Sequence, residues 1–316
     1  NCGGRPGVHV LKAPRIGRAK GARRLVQMVG LLGHPVGHSY SPRMHNVAFQ
    51  ALGLPYVYQA FDVQPQNLAE AVRGMRALGF RGFNVTIPHK VAVMSLLDEQ
   101  SEEATGIGAV NTVVIGEDGK LYGTNTDGLG YLRSLREETG IHLRGAKVVL
   151  LGAGGAARAV GYTLLKEGIA ALRIANRSRE RAEQLAVRLK EAFANGNAKT
   201  GANIAIGALD EVPRWLPDAD LLLNTTSVGM YPHVDASPIR PDWLRQLPPE
   251  AVVSDLIYNP RKTRLLSEAE RYGLRIHGGL GMFLYQGAEA FRLWTGQEAP
   301  LAVMRRAVSE AGGPDA

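Results

Sequence analysis

Three polar clusters interrupt the apolar runs in the first half of the chain, and their residue types could do chemistry. They are Gly37-His38-Ser39-Tyr40-Ser41-Pro42, Asn84-Val85-Thr86-Ile87-Pro88-His89-Lys90 and Asn125-Thr126-Asp127-Gly128. Each follows a β-type run, and open α/β sheets gather ligands at the carboxyl ends of their strands. Ser, Asn, Thr, Lys and Asp together suit a polyhydroxylated ligand and offer little apolar surface. A fourth segment, Gly152-Ala153-Gly154-Gly155-Ala156-Ala157, lies between the apolar run Lys147–Leu151 and a helical stretch. In that context the first glycine permits a tight turn, the second lets a pyrophosphate approach the backbone, and the small Ala157 allows close helix–strand packing. The helix that follows points free amides at the phosphates. About 20 residues on, where an acidic residue would hold the ribose 2′-hydroxyl of NAD, the chain carries Asn176-Arg177-Ser178-Arg179-Glu180-Arg181. Guanidinium groups there suit a 2′-phosphate, so the cofactor read from the sequence is NADP.

These clusters need strands and helices to hold them. From Met28 onward, short apolar runs alternate with amphipathic stretches, the pattern of α/β folds with mainly parallel sheets. Strands are expected at Val29–Gly33, Tyr56–Val63 and Gly82–Pro88, with helices at Pro42–Leu52 and Asn67–Leu78. Ser41 before Pro42 reads as a helix cap followed by a first-turn proline. Val110–Ile115 and Lys120–Thr124 flank Glu117-Asp118-Gly119 as a hairpin. A second unit has strands at Lys147–Leu151, Leu172–Ala175, Ile204–Gly207, Leu221–Asn224 and Val252–Ile257, and helices at Gly155–Glu167 and Arg179–Phe193. Asn195–Gly201 reads as a loop. Helices Met282–Trp294 and Leu301–Ala311 close the chain.

Taken together, Gly37–Pro42, Asn84–Lys90, Ala109-Val110-Asn111-Thr112, Asn125–Gly128, Gly152–Ala156 and Gly281–Gln286 resemble the shikimate dehydrogenase family, colinearly from about Val29 to Val308. The resemblance implies NADPH-dependent, reversible reduction of 3-dehydroshikimate to shikimate on the route to chorismate and the aromatic amino acids. It also implies a fold of two domains, an open, mainly parallel substrate-binding α/β domain and a Rossmann-type NADP-binding domain. The expected boundaries are 28–126 plus 279–316 for the first and 127–278 for the second. The family's catalytic pair falls on Lys90 and Asp127. Its substrate site falls on Ser39, Ser41 and Tyr258 toward a carboxylate, and on Asn84, Thr86, Asn111 and Gln286 toward ring hydroxyls. Cofactor contacts fall on Gly152, Ala153, Gly154, Gly155, Ala156, on Asn176, Arg177, Ser178, Arg179, Glu180, Arg181, and on Leu256 and Gly279, with Glu102 the weakest match. The alternatives are a quinate or quinate/shikimate dehydrogenase of the same family, NAD-using in some members, and a non-catalytic NADP-binding regulator.

Oxidising an alcohol removes a proton from oxygen as a hydride leaves carbon, so the pair implied by the resemblance must handle that proton. Burial would push Lys90 toward acting as a base, whereas an ionised Asp127 beside it would keep the ammonium charged. Both roles stay open at this level. The histidines suggest no metal centre: His34 and His38 are separated by Pro35 and Gly37, and no ligand-spaced partner follows. The aromatic and Met positions of Met282–Trp294 read as packing, with Gln286 the exception.

The 316 residues are 45% hydrophobic and 21% charged, enough for a sizeable core and too apolar for a disordered chain. A single cysteine, Cys2, excludes a disulfide framework and fits a cytoplasmic enzyme. The net charge of +8 would ordinarily point to an anionic partner. Seven basic residues and no acidic ones fall in 1–27, however, leaving 30 basic against 29 acidic residues in the rest. That segment lacks the apolar stretch of a secretory signal. It reads as an unfolded appendage or a misplaced start, ahead of a nucleic-acid-binding arm, and its removal is expected to leave folding and activity unchanged. The expected partner is a small molecule, not nucleic acid or a membrane, with a homodimer the candidate assembly.

Overall fold

The computed structural model describes residues 25–194 and 200–311. Residues 1–24 of the basic segment, and 195–199 of the expected loop, lie outside them.

The first half builds one six-stranded sheet. Strand β1 (Gln27–Gly33) leads into α1 (Ser41–Ala51), β2 (Tyr56–Asp62), α2 (Leu68–Ala77) and β3 (Gly82–Val85). After a 3-10 stretch come the two-residue β4 (Glu99–Gln100), α3 (Glu102–Ile107) and the hairpin β5 (Thr112–Ile115) and β6 (Leu121–Thr124). The order is β2-β1-β3-β5-β6-β4. β1 pairs in parallel with β2 and β3, and β4 with β6, while the hairpin runs antiparallel, so the sheet is mixed with parallel pairs in the majority. Val29, Leu31, Val85, Phe83 and Val113 are buried within it.

Helix α4 (Asp127–Thr139) crosses to the second half, where β7 (Lys147–Leu151), α5 (Gly155–Lys166), β8 (Ala171–Ala175), α6 (Arg179–Ala194) and β9 (Asn203–Gly207) follow in turn. Then come β10 (Leu221–Asn224), β11 (Val252–Asp255), α7 (Arg264–Arg271) and β12 (Arg275–His277). All pairings here are parallel, in the order β12-β11-β10-β7-β8-β9. Counted from β7, that is the doubly wound 3-2-1-4-5-6 arrangement, whose order reverses beside β7. Val148–Leu151 are fully buried because helices cover both faces of the central strand.

Helix α8 (Gly279–Thr295) is apolar around most of its circumference, as befits a buried helix, and α9 (Leu301–Ala311) follows it. α8 lies against α4 so closely that a Cβ on Gly130 would come 2.7 Å from the Gln286 amide nitrogen. Its fully buried Trp294 donates from Nε1 to the Val113 carbonyl at 3.0 Å, which ties α8 to β5. The chain's last helices therefore return to the first sheet.

The structure shifts some local expectations. Ser41 is the first residue of α1 rather than its cap; Tyr40 precedes it without a side-chain cap, and Ser39 Oγ accepts the Ser41 amide at 3.2 Å. β3 stops at Val85 and β11 at Asp255, short of Pro88 and Ile257. Helices α3, α4 and α7 and strands β4 and β12 join the elements expected from sequence.

Candidate active site

Lys90 stands beyond the end of β3, and Asp127 opens α4. Lys90 Nζ donates to Asp127 Oδ2 at 2.5 Å, and the two side chains are 17% and 7% exposed. The other carboxylate oxygen accepts Asn111 Nδ2 at 2.8 Å. The Asp127 amide donates to Asn125 Oδ1 at 3.0 Å, and Asn125 Nδ2 donates to the Ala109 carbonyl at 2.9 Å. The Val110 amide donates to the Lys90 carbonyl at 2.8 Å, so the backbone beside Asn111 also fixes the lysine loop. A buried ion pair needs such extra hydrogen bonds to offset its desolvation.

Behind the pair, Asn84 on β3 donates to the Asn111 carbonyl and to Thr112 Oγ1 at 3.1 and 3.0 Å, and accepts the Tyr58 hydroxyl at 2.8 Å. Burial pushes the Tyr58 phenol strongly up, against a smaller opposing effect of nearby Ser41, so it remains a donor. Thr86 follows β3, its amide donating to the Leu32 carbonyl at 2.9 Å and its methyl packed over Gly33. Ser39 and Ser41 flank Tyr40, whose ring lies 5.8 Å from that of Tyr258; Tyr258 stacks in turn on Phe283 at 4.5 Å. Burial, helped by neighbouring Tyr40, pushes the Tyr258 phenol up to about 12. Gln286 meets the cluster through its backbone, accepting Thr126 Oγ1 at 3.1 Å, while its Nε2 turns to the Phe283 carbonyl at 2.8 Å.

The glycine turn faces this cluster. Gly152 adopts φ +108°, and a Cβ there would meet Thr225 Oγ1 at 2.6 Å, so a side chain is excluded on both counts. Gly154 has nothing within 4 Å of where a Cβ would lie, which leaves an open cradle at the start of α5. At Gly155 the nearest atom to such a Cβ is Lys90 Cδ at 3.8 Å. The turn and the lysine thus share one cleft. Beyond β8, Asn176 Nδ2 donates to the Ser178 carbonyl at 2.8 Å, and Ser178 Oγ accepts the Arg181 amide at 3.4 Å. Arg177 and Arg181 are exposed, and among the described residues neither pairs with a carboxylate, whereas Arg179 is engaged by Glu183 at 3.1 Å. Glu180 Oε1 accepts Gln184 Nε2 at 3.2 Å. Leu256 and Gly279 meet backbone to backbone, since a Cβ on Gly279 would lie 2.1 Å from the Leu256 carbonyl oxygen.

Glu102 is not drawn into the cluster: it is an exposed first-turn residue of α3, and its neighbour Glu103 makes the bond to Lys166 across the cleft at 2.8 Å. The sequence reading missed Tyr58 and Thr112, whose polar atoms sit at buried strand positions, and Arg158 and Arg188, which reach from α5 and α6 to the carbonyls that end α3. Thr112 carried the only available signal, a hydroxyl beside Asn111 at the head of an apolar run. A surface cavity of about 460 Å³ lined by Trp243, Arg264 and Ser237 lies elsewhere and holds none of these residues.

A parallel doubly wound sheet with an open glycine turn and exposed arginines, set across a cleft from a largely buried Lys–Asp pair, defines a two-domain dinucleotide-dependent α/β oxidoreductase. Family models agree: the shikimate dehydrogenase substrate binding domain matches residues 31–113, shikimate/quinate 5-dehydrogenase 134–231, and the shikimate 5′-dehydrogenase C-terminal domain 279–308. The chain belongs to the shikimate dehydrogenase family. It is 55% identical over 285 residues to the shikimate dehydrogenase (NADP⁺) of Methanopyrus kandleri, covering 90% of this chain and 95% of that one. The Thermus thermophilus shikimate 5-dehydrogenase solved with NADP(H) and shikimate is 38% identical with a TM-score of 0.78, over 90% of this chain and 100% of that one. A quinate dehydrogenase from Corynebacterium glutamicum solved with NAD is 33% identical with a TM-score of 0.82, over 91% and 100%.

Proposed function

We propose that this chain interconverts 3-dehydroshikimate and shikimate with NADP. The observation that carries the reading is the Lys90–Asp127 pair standing 3.8 Å, through Lys90 Cδ, from the space beside Gly155 of the cofactor turn. NADP fits the residues present: the cradle at Gly154 is open, the start of α5 offers amides to the pyrophosphate, and Arg177 and Arg181 are free to hold a 2′-phosphate. When bound, it supplies the hydride acceptor or donor.

The chain's own residues handle the proton. Lys90, paired with a carboxylate, enters the reductive reaction as an ammonium and donates to the carbonyl oxygen. In the oxidative direction the same group, now the neutral amine, takes the proton back from the alcohol oxygen and becomes the ammonium again. Asp127 balances that charge and, through Asn111 and Asn125, keeps the ammonium in one place. Ser39, Ser41 and Tyr258 are assigned to the substrate carboxylate, and Asn84, Thr86, Asn111 and Gln286 to its ring oxygens. Gly152–Ala156, Asn176–Arg181, Leu256 and Gly279 are assigned to the cofactor, with Glu102 the weakest member of that set.

The proposed domains are 28–126 with 279–316 for substrate and 127–278 for cofactor, so that closure across the cleft excludes water from the pair. Among the described residues no helix is long and apolar enough to cross a membrane. The proposed setting is the cytoplasm, and the proposed assembly is a homodimer, which light scattering tests. The functional test follows absorbance of the reduced nicotinamide while crossing shikimate and quinate with NADP⁺ and NAD⁺. Turnover is expected with shikimate and NADP⁺. Faster turnover of quinate would move the chain to the quinate branch, and none with any pairing would refute the reading.

A further inference from the structure

The polar atoms behind Asp127 form a hydrogen-bonded chain whose shorter contacts give it a direction, beside longer alternatives from the Thr126 hydroxyl to Asn111 Oδ1 at 3.3 Å and to the Thr112 hydroxyl at 3.4 Å. Backbone groups fix its ends. The Thr126 amide can only donate, and at 2.9 Å it identifies the Asn111 oxygen, Oδ1. The Gln286 carbonyl can only accept, and it takes the Thr126 hydroxyl proton at 3.1 Å. That hydroxyl is then left to accept one Asn111 amide proton at 2.9 Å, and the second goes to Asp127 Oδ1 at 2.8 Å. The Asn111 carbonyl likewise fixes Asn84, whose Nδ2 donates to it at 3.1 Å and to Thr112 Oγ1 at 3.0 Å. Thr112 passes the chain on by donating to Asn111 Oδ1 at 2.9 Å. At the far end the Tyr58 hydroxyl donates to Asn84 Oδ1, and its ring is clamped by His45 at 4.5 Å between centroids.

Thr112 is the joint between the two carboxamides. It is 0% exposed, so it touches no ligand, yet its hydroxyl accepts from one amide and donates to the other. We propose that Thr112 is a positioning residue: its hydroxyl keeps Asn84 and Asn111 in register and, through Asn111, holds Asp127 beside Lys90. The proposal rests on the reading of Lys90 and Asp127 as the reacting pair. Without the hydroxyl, Asn84 keeps a buried N–H with no acceptor and Asn111 Oδ1 loses a donor, so both carboxamides gain freedom to turn. A purely space-filling threonine would show no such dependence, because valine has nearly its shape.

The test compares the parent with Thr112→Val and Thr112→Ser. Valine is expected to lower kcat by about tenfold or more, the effect of one lost buried hydrogen bond, and to raise the KM for shikimate as well, since Asn84 and Asn111 are assigned to its ring oxygens. Serine, which keeps the hydroxyl, is expected to restore kcat to within about threefold of the parent. In the free protein, hydrogen exchange of the Asn84 and Asn111 side-chain amides, followed by NMR, should quicken in the valine variant and not in the serine variant. That readout needs no turnover, so an inactive parent would count against the assigned reaction while amide exchange still decides the role of Thr112. If the valine variant does not fold, Thr112→Ala removes the same hydroxyl and is read the same way. A kcat within about twofold of the parent with unchanged amide exchange, or a serine variant as impaired as the valine one, would overturn the proposal.

Discussion

The Arg188 guanidinium occupies the space that a side chain on Gly108 would need: a Cβ there would lie 1.8 Å from Arg188 Nε. Gly108 has φ +68° and ends α3, and Arg188 donates to the carbonyls of Ile107 and Thr105 at 3.1 Å each. A residue of the second half thus closes the helix that runs into Ala109–Asn111. Gly108→Ala is expected to cost about 1–2 kcal/mol for the left-handed backbone and about 1 kcal/mol more for each displaced hydrogen bond. Urea unfolding measures it, and a loss of only about 1–2 kcal/mol, the backbone cost alone, would show that Arg188 moves aside freely.

Lys90→Ala should lower kcat by about 10² to 10⁴, the range for one proton-transfer group. Removing the lysine also strands a carboxylate that is only 7% exposed, so stability falls with activity. Rates therefore need measuring at a temperature where circular dichroism shows the variant folded. Asp127→Asn keeps the side-chain shape and separates charge from packing. Near-parental turnover of the folded Lys90→Ala protein would remove Lys90 from the mechanism.

Arg177 and Arg181 are exposed and free of carboxylate partners among the described residues, so their replacement should disturb little else. Changing both to Ala is expected to raise the KM for NADP⁺ by about 10- to 100-fold, as charge-assisted hydrogen bonds to a phosphate are worth about 1.5–3 kcal/mol each before screening. The KM for NAD⁺, which lacks that phosphate, should change little. Equal losses with both cofactors would place these arginines outside 2′-phosphate recognition.

What the sequence discloses here follows from how local each signal is. The glycine turn and the strand before it are legible because turn, cradle and helix start lie within six residues. Helix α4 escapes notice because Gly128 and Gly130 weaken its helical propensity. Yet both are required, since side chains there would strike Thr163 and the Gln286 backbone. Tyr58 and Thr112 are hidden for another reason: in a strand a buried hydroxyl reads as packing until Asn84, 26 residues from Tyr58 and 28 from Thr112 along the chain, is in place. The Lys90–Asp127 pair spans 37 residues, so only the resemblance to a family, and not spacing, could join it in advance.

Asp255 gives the most direct test of electrostatics within the second sheet. It ends β11 fully buried, accepting Asn224 Nδ2 and the Ile257 amide at 3.1 Å and Thr263 Oγ1 at 2.8 Å. Burial pushes its carboxyl up to about 6, against the partial opposition of those donors. Because the folded value lies above the unfolded value of about 3.9, the folded protein binds this proton more tightly. The resulting stabilisation is complete below about pH 3.9 and is lost as pH rises through about 6. Asp255→Asn removes that titration while keeping an oxygen for Asn224 and Ile257. Between pH 4.5 and 7.5, the unfolding free energy of the variant should therefore rise by about 2 kcal/mol relative to the parent. Urea titrations at the two pH values measure the difference, and an equal gap between the proteins at both would show that Asp255 stays ionised throughout.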